Sequence, residues 1–240
     1  MGNPFEVLIV TSVDAEKDAV KRGLEAVRNA NNVHYTVATV GVGAVVAAIG
    51  TLECIYHKQS SQFQAPFHLI INAGIAGAFV PPDQTYTIDQ IAGKCLIADL
   101  IIAADLGAEL AVDDERNRSF LSLDELGFGL TSYRPDVTWL SKISECFKGN
   151  CQIGTSLTVS TVTGTDTTAQ RLLNRYPGAL IEAMEGFGVA MAAAKCNIPM
   201  IELRTVSNLV GPRNRDQWRL EKALSSLEQA FEKIGERLCR

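Results

Sequence analysis

Val7-Leu8-Ile9-Val10-Thr11-Ser12-Val13-Asp14 is the stretch from which the fold is read. Its first residues form a short, continuously apolar run, the pattern of a strand covered on both faces rather than one with a wet side. Ser12 to Asp14 then opens a helical stretch reaching about Val27. A doubly covered strand followed at once by a helix is the unit of an α/β sheet, and the rest of the chain repeats it. Val33 to Val40 alternates like a strand and ends at Gly41-Val42-Gly43, ahead of an Ala-rich helix from Ala44 to Tyr56. His68 to Asn72 reads as another buried strand, closed by Ala73-Gly74-Ile75-Ala76-Gly77.

Further strands are expected at Cys95 to Ala104, Gln152 to Thr161, Ala179 to Met184 and Pro199 to Ser207. Helices are expected at Val137 to Phe147, Thr167 to Tyr176 and Glu185 to Cys196. At the carboxyl end Leu220, Leu224, Leu227, Phe231, Ile234 and Leu238 recur at three- and four-residue steps, an amphipathic helix. Pro81, Pro82 and Asp83 mark a loop, and residues 105–131 have no sustained period, so an irregular lid or interface segment is expected there. No linker-like tract divides the chain. The expectation is one domain over 1–240, an α/β fold with helices on both faces of its sheet.

Composition narrows the partners. Of 240 residues 47% are hydrophobic and 20% charged, and 22 basic against 27 acidic residues leave a net charge of −5. A surface that tracks phosphates needs a basic excess, so no nucleic acid polymer is expected as partner. No apolar run approaches the ~18 residues of a membrane span, and no secretory signal is visible, so neither membrane attachment nor export is expected and the cytoplasm is the expected location. The six cysteines lack paired short spacing and there are three histidines, so reduced thiols are expected, with no metal and no cofactor.

Chemistry is sought where strands end, because open α/β sheets bind ligands there. Glu16 lies in the first turn of the first helix, where an acid complements the helix dipole or, alternatively, does catalysis. Glu185 stands where the buried strand Ile181-Glu182-Ala183-Met184 enters the small, apolar helix Gly186-Phe187-Gly188-Val189-Ala190. A charge there costs several kcal/mol unless partnered. Backbone N–H groups or a ligand with two hydroxyls would both serve. Arg204, inside the last strand, must be paired, and Asn208 at its end is either a turn former or a ligand contact.

Three segments in this order, Asn72-Ala73-Gly74-Ile75-Ala76-Gly77, Met184-Glu185-Gly186 and Arg204-Thr205-Val206-Ser207-Asn208, resemble the nucleoside phosphorylase/nucleosidase superfamily. Thr161-Val162-Thr163-Gly164-Thr165 and Ser207-Asn208-Leu209-Val210-Gly211-Pro212-Arg213 with Trp218 place the resemblance in the branch of methylthioadenosine/adenosylhomocysteine nucleosidases and futalosine hydrolases. The resemblance implies a three-layer α/β/α architecture with a central twisted mixed sheet. It implies a small-molecule nucleoside as substrate, water as co-substrate, and a homodimer or higher homo-oligomer. By the same resemblance Glu16 would activate water, and Met184 and Glu185 would hold the ribose. Ala76 and Gly77 would line the sugar, Val162, Thr163 and Gly164 would bound the base, and Asn208 would face the purine N7 edge.

Asn208 decides the expected substrate within that branch. Adenine-specific members carry Asp at this position, and an ionised Asp has no donor for a 6-oxo group. The Asn amide can donate to O6 and accept a proton carried on N7. Futalosine, releasing hypoxanthine in menaquinone biosynthesis, is therefore the expected substrate. Phosphorolysis is the neighbouring alternative, disfavoured because no Arg or Lys occurs from Val37 to Thr51 or from Asn72 to Thr85. A nucleoside-binding sensor without turnover is the non-enzymatic one.

Overall fold

The computed structural model describes residues 4–27, 32–60, 66–81, 84–111 and 119–238. Pro82 and Asp83 of the expected loop, part of the 105–131 stretch and Cys239 lie outside these residues.

The quoted stretch forms β1 (Phe5–Thr11), buried along its whole length, and α1 (Asp14–Glu25). β1 lies between β2 (Val33–Thr39) and β3 (Leu69–Ala78), parallel to both. β3 in turn pairs with β9 (Ala179–Ala183) and β10 (Met200–Leu209). β10 continues to β4 (Cys95–Ala103), β4 to β8 (Gln152–Thr158), and β8 back to β9. Parallel and antiparallel pairs mix, and since β3 holds both β9 and β10, five strands close into a ring with β1 and β2 extending from it.

Helices cover both faces. α1, α4 (Val137–Glu145) and α7 (Leu220–Arg237) bury Ala19, Val20, Ile143, Leu227, Phe231 and Ile234 against Val7, Ile9, Leu69 and Ile71. On the other face α2 (Ala44–Ser60) and α6 (Gly186–Lys195) bury Ala47, Ile55, Val189 and Ala193 against Leu8, Val10 and Ile70. Alternate residues of one strand thus feed two cores, as the run Val7 to Val10 requires. α5 (Asp166–Arg175) closes a smaller cluster over β8 and β9 through Ala169, Leu172 and Leu173. No helix among the described residues is long and apolar enough to cross a membrane.

The glycine segment after Asn72 corrects one expectation. It does not close the strand: β3 runs through it to Ala78, with Gly74 opposite Arg204 and Gly77 opposite both Asn208 and Glu182. A Cβ on Gly74 would overlap Arg204 Nη1 and lie 2.6 Å from Glu16 Oε1. The glycines admit charged side chains to the strand rather than reverse the chain. Gly41 and Gly43, by contrast, have φ of 93° and 90°, a left-handed turn as expected.

The 105–131 stretch is less irregular than its sequence suggests. β5 (Gly107–Glu109) and β6 (Phe120–Ser122) pair as a small antiparallel ribbon. β7 (Ser132–Tyr133) adds to the edge of β4, and a single turn of helix, α3 (Ile88–Ile91), precedes β4. Elements of two to four residues leave no periodicity in a sequence to detect.

Candidate active site

Glu16 sits at the start of α1, 3% exposed. Its Oε2 accepts from the Ser12 and Val13 N–H groups at 2.9 and 3.3 Å, so it does complement the helix start. Its Oε1 reaches out of the helix to the Ile75 N–H on β3, 2.9 Å away. The helix-capping role and a site role are therefore both open to one carboxyl group. Burial pushes its pKa above 4.5, helped by the Glu185 charge and opposed by the Arg204 guanidinium and the N–H groups of Ile75 and Ser12.

Glu185 is 5% exposed at the mouth of α6. Its Oε1 accepts from the Gly43 N–H at 3.2 Å, and its Oε2 from the Met184 N–H and from Arg204 Nη2, each at 3.3 Å. Partners this distant leave the carboxylate room for further donors. Gly43 can supply its N–H here because its left-handed turn aims the backbone inward. Of the partners expected for Glu185 the backbone N–H groups are present, and the Arg204 guanidinium is a further one that the sequence did not single out for it.

Arg204 binds the group together. It is 1% exposed, and its Nε donates to Glu202 Oε1 at 2.9 Å as well as reaching Glu185. Burial disfavours its charge, but the Glu202, Glu185 and Glu16 carboxylates outweigh that and hold its pKa above the ordinary value. Glu202 was not singled out by sequence. Gly186 makes room for it, since a Cβ there would come within 2.5 Å of Glu202 Oε2.

Asn208 lies farther along β10, four residues from Arg204, on the order of 13 Å of strand. Its Oδ1 accepts from the Ser207 hydroxyl at 2.8 Å and its Nδ2 donates to the Leu209 carbonyl at 2.9 Å. One amide hydrogen and one lone pair remain for a ligand. Asn208 lines a small cavity with Gly77, Val162, Thr163, Glu182, Arg213 and Trp218. Gly164 adjoins it, in van der Waals range of Arg213. Met184 is half-buried beside Glu185, whereas Ala76 turns its methyl into a packed cluster with Leu96, Ile181 and Ala183 and presents only backbone. A cleft of about 1020 Å³ between β6 and α5 contains none of these residues.

The structure therefore gathers Glu16 and Glu185 around Arg204, and Asn208 with Thr163 and Val162 around a cavity on the adjoining strands. Sequence reasoning missed Glu182, a second acid within the buried strand β9. Its signal was available: a carboxylate flanked by Ile181 and Ala183 needs a partner as much as Glu185 does.

The match to the phosphorylase superfamily spans residues 16–240, and the chain belongs to that superfamily. The futalosine hydrolase of Streptomyces coelicolor is 40% identical to it over 96% of this chain and 95% of the relative. Among solved structures, futalosine hydrolase of Helicobacter pylori superposes with a TM-score of 0.73 at 15% identity, covering 98% of each chain. The methylthioadenosine/adenosylhomocysteine nucleosidase of the same organism gives 0.75 at 15% identity, covering 99% of this chain and 100% of that one. Backbone shape is thus shared by both kinds of enzyme and does not separate them.

Proposed function

We propose that this chain hydrolyses the N-glycosidic bond of futalosine, releasing hypoxanthine, as a step of menaquinone biosynthesis. The observation that carries the reading is the pairing of two buried acids, Glu16 and Glu185, through Arg204, beside a cavity edged by Asn208. The near full-length similarity to a futalosine hydrolase supports the choice of substrate.

The chemistry follows from these positions. Glu185 accepts hydrogen bonds from the ribose 2′- and 3′-hydroxyls, replacing its long backbone contacts, and Met184 with the Ala76–Gly77 backbone lines the sugar. As the bond from C1′ to N9 breaks, positive charge develops on the sugar, and the ionised acids nearby stabilise it. Glu16 takes a proton from water, whose oxygen adds to C1′. Its raised pKa makes it a stronger base than a surface Glu while the backbone N–H groups keep it aimed. Val162, Thr163 and Gly164 bound the base, and N7 takes up a proton from solvent as N9 gains the bonding pair. Asn208 accepts a hydrogen bond from that N7–H and donates one to O6, so hypoxanthine leaves neutral, and the proton on Glu16 returns to solvent.

The purified protein is expected to release hypoxanthine from futalosine in phosphate-free buffer, with loss of at least ~10²-fold in kcat for Glu16→Gln, the lower end of a general-base contribution. Release that requires phosphate would make the enzyme a phosphorylase. Binding without release would make it a sensor. Cys54, Cys95, Cys151 and Cys196 are free thiols, which supports a cytoplasmic location. A homodimer or higher homo-oligomer is supported by an apolar row on α2, where Val45, Val46 and Ile49 are 74%, 52% and 54% exposed.

A further inference from the structure

Gly77 stands in register with Glu182 of β9 on one side and with Asn208 of β10 on the other. Residues directly opposite one another across paired strands point to the same face, so these three form one row. Two strand spacings put the outer Cα atoms about 10 Å apart. The central residue has no side chain, and a Cβ there would lie 3.1 Å from Asn208 Nδ2 and 3.0 Å from Val210. The result is a flat-floored slot between a carboxyl group and an amide, and both line the same small cavity.

Glu182 is almost wholly buried, yet no cation reaches it among the described residues. Its Oε1 accepts from the Thr163 N–H at 2.8 Å and its Oε2 from the Thr163 hydroxyl. Two donors on two oxygens set it up as an acceptor, with a lone pair left on each. The Thr163 N–H is consumed by this contact.

We propose that Glu182 is a specificity-determining residue that accepts the N1–H of a 6-oxopurine, opposite Asn208 at the O6 and N7 edge. The proposal rests on the nucleosidase reading above and deepens it. A 6-oxopurine presents a donor at N1 and an acceptor at O6. A 6-aminopurine presents the reverse, an acceptor at N1 and a donor at position 6. The carboxylate lone pairs would face the N1 lone pair of the amino base, and the Thr163 N–H is already engaged by Glu182. Asn208, held by Ser207 and the Leu209 carbonyl, keeps one hydrogen and one lone pair for the base. Glu182, held at both oxygens by Thr163, offers only lone pairs in its ionised form, which the Thr163 donors favour and burial opposes. The discrimination therefore resides at N1 as well as at the O6 and N7 edge.

The decisive measurement is kcat/KM for futalosine and for its 6-amino counterpart, in the wild type and in Glu182→Gln. The amide can keep the Thr163 N–H contact while offering its own N–H to N1. The ratio is expected to move by about 10-fold or more toward the amino substrate, within the range for one buried mismatched group. An equal loss on both substrates would mean that Glu182 only props the Thr163 loop, and the proposal falls. Should the variant not fold, calorimetric titration of the wild type with hypoxanthine and 1-deazahypoxanthine replaces it. Loss of N1–H is expected to weaken binding by about 10-fold, and equal affinities overturn the proposal. A wild type that binds hypoxanthine in this N1-dependent way but cleaves no futalosine would refute the proposed function and leave the Glu182 assignment standing.

Discussion

Arg204 shares one guanidinium among three carboxyl groups, those of Glu16, Glu185 and Glu202, with almost no water to screen them. Buried surplus charge is costly, and the group that yields is Glu16, whose pKa is raised chiefly by burial and further by Glu185. As the base it acts ionised, so activity is full above its raised pKa and falls as pH drops through it. The acid limb of kcat/KM is expected to titrate above the ordinary 4.5 of a glutamate. A limb at or below that value would remove Glu16 from the role. At the other end of the site, Asn208→Asp replaces a donor with a lone pair opposite O6. Activity on the 6-oxo substrate relative to the 6-amino one is expected to fall by about 5- to 150-fold, and an unchanged ratio would detach Asn208 from the base.

Between α2 and α6 the decisive feature is an absent side chain. A Cβ on Gly188 would overlap the Ala44 carbonyl, which is backbone and cannot rotate away. The two helices meet there at close quarters, and Gly43, one residue before Ala44, supplies the N–H that holds Glu185. Gly188→Ala must push the helices apart. A loss of roughly 1–3 kcal/mol is expected, read as a fall in melting temperature of about 2–4 °C for each kcal/mol. Because Gly43 moves with α2, KM is expected to rise as well. A variant with wild-type melting and KM would show that this contact does not set the position of Glu185. The same logic explains β3, where Gly74 makes room for Arg204 and Glu16, and Gly77 leaves the floor between Glu182 and Asn208 open.

For the whole molecule, the apolar row of α2 is a surface that would gain from a partner. It begins directly after the Gly41–Gly43 turn, so a second copy seated on it would adjoin the Glu185 end of the site. Val45→Glu is expected to shift the protein to a smaller species by light scattering while leaving its circular dichroism intact. A wild type that is already monomeric would sink the idea. The ring of five strands also acts at this scale, since it makes β9, β3 and β10 neighbours although β9 and β10 lie about a hundred residues after β3.

The sequence by itself determined the alternation of strands and helices, because apolar runs and helical periods record burial locally. It also marked Glu16, Glu185 and Asn208 as polar groups near strand ends, each with a structural use beside the chemical one. Their grouping was legible only through likeness to a known family. Tertiary structure alone decided that the Ala73–Gly77 segment stays in the strand, that Arg204 joins the two acids, and that Glu182 faces Asn208 across Gly77. Those facts depend on which strands pair and in what register, and hydrogen bonds between segments far apart in the chain leave no period in either one.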